Sequence, residues 1–263
     1  MTAPTPLVVF SDLDGTLLDH SDYSWSAAQT ALHVLAELGA PVILASSKTA
    51  AEIDVLQDAL GLTGLPAIVE NGAGVTNLHT HTIEESYKAL RKLLDEVPKA
   101  LRACFEGFGD MDVARIMALT GLPQKDAGRA RERAFSEPGM WHGTQAAEAE
   151  FIKSLAHLGI SARRGGRFLT LSFGGTKADR MAEVIAQYKP LRCIALGDAP
   201  NDVEMLETAD FGVIVANPHH EALTPLEAEK TGRIIRTSKA GPAGWNEAVL
   251  ELVDKFKLTV GRI

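Results

Sequence analysis

Short apolar runs that stop at a polar residue alternate along this chain with stretches of helical periodicity, and that rhythm restricts it to a small set of folds. Leu7-Val8-Val9-Phe10 ends at Ser11 and Asp12, the pattern of a parallel strand buried on both faces whose carboxyl end opens onto a site. Residues 24–38 repeat apolar positions at helical spacing and stop at Gly39. Pro41 to Ala45 reads as a second buried strand, Thr49 to Leu60 as a helix closed by Gly61, and Ala67 to Val69 as a third strand. Such alternation implies an α/β fold with a doubly wound parallel sheet.

The rhythm falters between about residues 80 and 172, where helical stretches (Glu84 to Val97, Met111 to Leu119, Ala146 to Leu158) mix with short strand-like pieces such as Arg167 to Ser172. It resumes with a helix over 177–188, a strand over Cys193 to Leu196, a helix over 201–207, strands over Phe211 to Val215 and Arg233 to Ile235, and a helix from Trp245 to Phe256. The expected organisation is a core of residues 1–80 and 173–263 with an inserted α+β domain of residues 81–172. With 46% hydrophobic residues, 263 residues supply a sizeable core. The net charge of −8 excludes a broad basic surface for nucleic acid or anionic lipid. The apolar run after Pro6 is broken by Asp12 within a few residues, so neither a signal peptide nor a membrane span is expected and the cytoplasm is the expected compartment. Cys104 and Cys193 lack a CxxC partner or a nearby ligand set and read as reduced packing residues. The pairs His79/His81 and His219/His220 lack a third ligand and read as loop histidines.

Asp12-Leu13-Asp14-Gly15-Thr16 sets two carboxylates just past the first strand, where open α/β sheets bind ligands. Phosphoryl transfer needs a nucleophile, a metal to neutralise the phosphate oxygens, and a proton donor for the leaving oxygen. Asp12 suits the first role and Asp14 the third. The sequence also echoes a calcium loop, but that loop wants Gly at its sixth position and Glu at its twelfth, which here are Leu17 and Tyr23. Asp and Gly after a strand are also ordinary turn formers, a reading that must still account for the other polar clusters. Asp198-Ala199-Pro200-Asn201-Asp202 follows a later buried strand, so Asp198 can meet Asp12 across the same sheet edge. Such an oxygen-rich set suits Mg²⁺. Ser46 and Ser47 open a helix whose hydroxyls and free N–H groups can hold phosphate oxygens, with Asn201 a further candidate, and Lys177 begins the returning helix with a positive charge.

Four pieces in this order resemble the four motifs of the haloacid dehalogenase superfamily of phosphatases. The resemblance implies a Rossmann-like core with an α+β cap and attack on phosphorus by Asp12. Asp14 would protonate the leaving oxygen and then activate water, and Mg²⁺ would be held by the Asp12 carboxylate, the Asp14 main-chain carbonyl and Asp198, with Asp202 in support. A narrower resemblance, over nearly the whole chain, is to the mannosyl-3-phosphoglycerate phosphatases. It is carried by DLDGTLLD with Tyr23 and Trp25, SSKTAAE at 46–52, ENGAG at 70–74, TGL at 120–122, RAFSEP at 133–138, GGRF at 165–168, GDAPND at 197–202 and GPAGWNEAV at 241–249. The chain departs from that pattern at Ala178, where the family tends to have Gly, and at Ala199, where Ser is frequent.

By that resemblance Glu132, Ser136, Glu137 and Arg167 of the cap would contact sugar and glycerate, an Arg suiting a carboxylate through its planar fork. The expected substrate is 2-O-(α-mannosyl)-3-phosphoglycerate or its glucosyl counterpart, a small phosphorylated sugar-glycerate. A broader sugar-phosphate or sucrose-phosphate-type phosphatase is the nearest alternative, and a non-catalytic sensor of a phosphorylated ligand a more distant one. A nucleotide-driven phosphotransferase lacks its G-x-x-x-x-G-K-[ST] loop, since Gly174-Gly175-Thr176-Lys177 has no earlier glycine at that spacing.

Overall fold

The computed structural model describes residues 5–78, 83–165, 167–219 and 221–258. Its first half-sheet is Val8–Ser11 (β1), Val42–Ala45 (β2) and Ala67–Val69 (β3), joined by helices Gln29–Glu37 (α1) and Ala50–Leu60 (α2). Thr49 starts α2 with a capping box, its hydroxyl accepting from Glu52 N–H while Glu52 accepts from Thr49 N–H, and Gly61 ends it at φ +70°. Gly74–Thr76 (β4) pairs antiparallel with β3 and forms one edge.

A second unit follows in the chain. It comprises Ile83–Leu94 (α3), Lys99–Arg102 (α4), Phe105–Gly107 (β5), Val113–Thr120 (α5), Gln124–Arg131 (α6), Ser136–Trp141 (β6), Gln145–His157 (α7), Ser161–Gly165 (β7) and Phe168–Ser172 (β8). Its strands form an antiparallel sheet in the order β5-β6-β8-β7. The core then resumes with Lys177–Tyr188 (α8), Cys193–Gly197 (β9), Val203–Thr208 (α9), Phe211–Ala216 (β10), Ile234–Ala240 (β11) and Gly241–Lys255 (α10). The main sheet runs β11-β10-β9-β1-β2-β3-β4, parallel except at β4. The doubly wound α/β core with a cap expected from the sequence is therefore present.

β1 is buried on both sides because its side chains alternate between two layers. Leu7 and Val9 join the cluster that contains Trp245 and Val249 of α10, whereas Val8 and Phe10 join the one that contains Met181 and Val184 of α8. The cap has its own cores. One is Phe105, Phe151, Leu155 and Leu169 between sheet and α3/α7, the other Phe108, Met111, Ile116 and Ala127 beneath α5 and α6.

Several boundaries differ from expectation for local reasons. The helix expected over 24–38 is a 3₁₀ turn at Ser26–Ala28 followed by α1. The last helix starts at Gly241, four residues before Trp245, because Pro242 suits a first helical turn. β6 contains Pro138 and Gly139, which mask its strand character in sequence. Among the described residues, no helix is long and apolar enough to cross a membrane.

Candidate functional site

Parallel pairing of β2, β1, β9 and β10 places the residues that follow these strands on one edge. The ladder continues one step past β1, with Asp12 N–H donating to Leu196 O at 2.9 Å. That step sets Asp12 beside the loop carrying Asp198. Carboxylate oxygens of Asp12, Asp198 and Asp202 lie within 4.8 Å of one another, and all three residues are buried. The first and last of these are bridged by Lys177, whose Nζ donates to Asp12 Oδ1 and Asp202 Oδ1 at 2.6 Å each.

Each acidic group is held by its own scaffold. Asp202 Oδ2 accepts the N–H groups of Asp198 and Ala199 at 3.1 Å, closing the turn after β9. Asp198 accepts Thr16 Oγ1 on Oδ1 at 3.0 Å and Asn217 Nδ2 on Oδ2 at 2.7 Å. Gly15 (φ +81°) leaves room for that amide: a Cβ there would lie 2.1 Å from Asn217 Nδ2. Trp245 Nε1 donates to Ser11 Oγ at 2.9 Å, and Ser11 in turn donates to Asp12 O at 2.7 Å, so α10 braces the backbone of the first carboxylate.

The cluster is acidic and buried. Burial pushes the Asp12 carboxyl well above its ordinary value against the pull of Lys177, with Asp202 and Asp198 adding to the rise. Burial alone would lower Lys177, but Asp12 and Asp202 outweigh it and hold the ammonium above its ordinary range. The same ion pairs act on both groups: the carboxylates outweigh burial at Lys177, while at Asp12 burial outweighs the ammonium. Three buried carboxylates around the Lys177 ammonium make an acidic, oxygen-rich set of the kind that suits a divalent cation with oxygen ligands.

Asp14 lies two residues on. Its Oδ2 pairs with Lys48 Nζ at 3.0 Å, while its buried Oδ1 has no partner among the described residues. Such an orphan is costly unless something binds it. Lys48 loses favour by burial, yet Asp14 outweighs this and raises its affinity for the proton. The Lys48 ammonium also stands 5.3 Å from the Tyr23 ring centre. Ser46 is buried, with Oγ accepting from Lys48 N–H at 3.3 Å, whereas Ser47 is exposed. Asn201 is exposed and donates to Asn71 Oδ1 at 3.0 Å.

The structure thus brings Asp12, Asp14, Ser46, Lys177, Asp198 and Asp202 to one sheet edge, with Ser47 and Asn201 on its loops. The four cap candidates fall in different places. Glu132 is exposed at the end of α6 and lines a cleft of about 480 Å³ with Tyr87, Arg91, Val113, Gly128 and Arg131. Ser136 and Glu137 are fully buried. Ser136 Oγ donates to Glu70 Oε2 at 2.6 Å, and Glu137 accepts from Tyr87, from Arg91 at 3.1 Å and from Gly109 N–H at 2.8 Å. Burial raises the Glu137 carboxyl against the hydrogen bonds of Tyr87 and Gly109. These two side chains therefore spend their polar atoms inside the protein and not on a cleft. Arg167 donates to Leu119 O and lies 5.9 Å from the Phe168 ring centre.

Asn217, Thr16, Lys48 and Trp245 were not singled out by sequence reasoning. Asn217 follows β10 on the same edge as Asp12 and Asp198, the one signal that would have found it. Both cysteines are free, and burial pushes the Cys193 thiol up to about 11, in line with a packing residue. His219 stacks on His20 at 4.2 Å, while His79, His81 and His220 lie outside the described residues.

A family model for haloacid dehalogenase-like hydrolases matches residues 9–112 and 145–227. A haloacid dehalogenase-like hydrolase from Bacteroides thetaiotaomicron superposes with a TM-score of 0.67 at 20% identity, covering 94% of this chain and 99% of that one. Another protein of the same bacterium, from a study of phosphatases of the haloalkanoate superfamily, gives 0.62 at 18% identity over 97% and 96%. The sucrose-phosphatase of Synechocystis, solved with sucrose and phosphate, gives 0.60 at 14% identity over 97% and 99%. At such identities these likenesses establish a shared fold.

Proposed function

Because the chain belongs to the haloacid dehalogenase-like hydrolases, we propose that it is a Mg²⁺-dependent phosphatase that works through an aspartyl-phosphate, with Asp12 as nucleophile. The observation that carries this reading is the buried carboxylate trio beside a single ammonium. Among the described residues, Lys177 is the only side chain hydrogen-bonded to the Asp12 carboxylate, and it takes Oδ1. Oδ2 is left to attack phosphorus. As the Asp12 Oδ2–phosphorus bond forms, the ester P–O bond breaks, and the departing oxygen takes a proton from Asp14 Oδ1, the atom without a partner. Asp14 then removes a proton from water, the water oxygen attacks phosphorus, and the Asp12–phosphorus bond breaks to release inorganic phosphate.

Lys48 pairs with Asp14 and keeps its other oxygen in place. Lys177 fixes the Asp12 rotamer and stabilises negative charge as it develops. Ser46, Ser47 and Asn201 supply donors for the phosphoryl oxygens. The residues fit Mg²⁺ by charge and donor type: Asp12, Asp198 and the Asp14 main-chain carbonyl would hold it, with Asp202 in support. When bound there, Mg²⁺ neutralises the phosphoryl oxygens.

For the substrate we propose a glycosyl-3-phosphoglycerate, mannosyl or glucosyl. The resemblance in the words at 133–138 and 165–168 supports it, as does a cap cleft whose lining includes the exposed Arg131 and Glu132. A guanidinium suits a glycerate carboxylate, and a Glu suits sugar hydroxyls. The sucrose and phosphate bound to the similar Synechocystis protein accord with a sugar phosphate as the class of substrate.

The test is phosphate release from a panel of sugar phosphates and glycosyl-phosphoglycerates. The reading expects preference for the latter, Mg²⁺ dependence, and loss of turnover by orders of magnitude in Asp12→Asn. Undiminished turnover in Asp12→Asn refutes the covalent mechanism, and equal rates across the panel refute the substrate.

A further inference from the structure

Residues Glu70, Asn71 and Gly72 follow β3 in an uncommon way: all three have left-handed backbones, with φ of +53°, +59° and +87°. A buried Glu and an Asn held there mark a turn that the surroundings over-determine. Each residue touches a different part of the molecule. Glu70 is 2% exposed and reaches into the cap, where Oε1 accepts Ala134 N–H at 2.8 Å and Oε2 accepts Phe135 N–H at 3.2 Å, Ser136 N–H at 2.7 Å and Ser136 Oγ at 2.6 Å. Arg133 supplies the counter-charge at 3.1 Å. Asn71 accepts from Asn201 in the turn between Asp198 and Asp202.

Gly72 lies against the first residues of α8. A Cβ on it would be 2.1 Å from Thr176 C and 2.4 Å from Lys177 N, and its carbonyl accepts from Arg180 Nε at 3.1 Å. The turn is also tied to the loop after β2, with Glu70 N–H donating to Lys48 O at 3.0 Å and Asn71 N–H to Ser46 O at 2.9 Å. From the cap side, Phe135 is buried in the core cluster that contains Leu44 and Val69. One three-residue turn therefore joins the cap, the Asp198–Asp202 loop, the start of the Lys177 helix and the Ser46–Lys48 loop.

We infer that Glu70 is a positioning residue: through this turn it sets where the cap stands over the reacting groups, so that a substrate read by the cap is aligned with Asp12. The inference rests on the phosphatase reading above. Glu70 touches none of the reacting groups, so its removal disturbs substrates that need the cap and spares those that do not.

The experiment compares wild type with Glu70→Gln, and with the milder Arg133→Lys in case the first does not fold. Two esters are used, mannosyl-3-phosphoglycerate and p-nitrophenyl phosphate, and amide exchange is followed over residues 124–131. These residues are chosen because α6 meets the core where Thr49 Oγ1 donates to Arg129 O at 3.0 Å. The expected result is a fall in kcat/KM for the glycosyl ester of about ten- to a hundredfold, carried mainly by KM, with p-nitrophenyl phosphate unchanged within about twofold and faster exchange at 124–131. An equal fall on both esters, or no fall on either, overturns the inference. If wild type cleaves neither ester, the phosphatase reading fails, and exchange alone decides this one: unchanged exchange at 124–131 in the variant overturns it.

Discussion

Replacing Lys177 by Met removes its ammonium from the carboxylate cluster while keeping most of its volume. Lys177 is 2% exposed and donates to Asp12 and Asp202 at 2.6 Å each, so water cannot take its place without rearrangement. Breaking a buried pair by deleting one partner costs about 3–5 kcal/mol, because the surviving charge is left unpaired. Here two carboxylates survive, which puts the expected loss at the upper part of that range. For a chain of this size each kcal/mol is worth about 2–4 °C in Tm, so metal-free Lys177→Met should melt about 10–20 °C below wild type.

The pH dependence has a definite sign. In the variant Asp12 loses the ammonium that favours its charged form, so in the folded state it resists ionising still more, whereas in the unfolded chain it ionises at its ordinary value. The folded state then holds protons that the unfolded state has lost, so stability falls as pH rises above about 4. The deficit relative to wild type should therefore be larger at pH 8 than at pH 5. Asp202→Asn in the same variant removes one of the two charges and should restore about 1–3 kcal/mol. The assay is guanidinium denaturation in EDTA, followed by circular dichroism at both pH values. A loss below about 1 kcal/mol, or a deficit that shrinks toward pH 8, refutes the buried-charge account.

Three further outcomes are expected. Asn217→Ala removes the 2.7 Å donor to Asp198 and should weaken Mg²⁺ activation by about 10–100-fold, read from the half-activating concentration; an unchanged value contradicts the assignment. Gly15→Ala forces a Cβ to within 2.1 Å of the Asn217 amide at φ +81° and should cost about 1–3 kcal/mol in denaturation together with a similar loss of Mg²⁺ activation. In wild type, burial raises the Asp12 carboxyl from its ordinary 3.8 despite Lys177, so metal-free stability falls as pH rises from there toward neutrality. Mg²⁺ must displace that proton, and its stabilisation, measured as a rise in Tm, should be greater at pH 8 than at pH 5. Equal rises at both would show that the proton and the ion do not compete.

Much of the core and the acidic site was legible in the residues themselves. A run such as Leu7-Val8-Val9-Phe10 is buried on both faces only in the middle of a parallel sheet, and all strands of such a sheet end on one edge. Asp12, Ser46 and Asp198 could therefore be grouped from their position after apolar runs. Lys177 stood out as a charge at a helix start, and its helix cap at Thr176, a capping box with Asp179, is also a local pattern. The cap was read less completely. Helix α6 has a weak apolar face that gives little periodicity, and β6 carries Pro138 and Gly139, so burial by α3 and pairing with β5 and β8 decide its conformation.

The sequence by itself determined which strands end in carboxylates, where the helices begin, and hence that acidic groups from distant segments meet at one edge; those are consequences of periodicity and of the direction of parallel strands. Only the tertiary structure decided which side chains face one another across that edge. The Lys48–Asp14 pair, the Asn217–Asp198 bond, the Trp245–Ser11 brace and the grip of Glu70 on residues 133–136 span separations of up to 234 positions. No local rule reaches so far, because a hydrogen bond depends on positions to a few tenths of an ångström, and those are set by how whole layers pack.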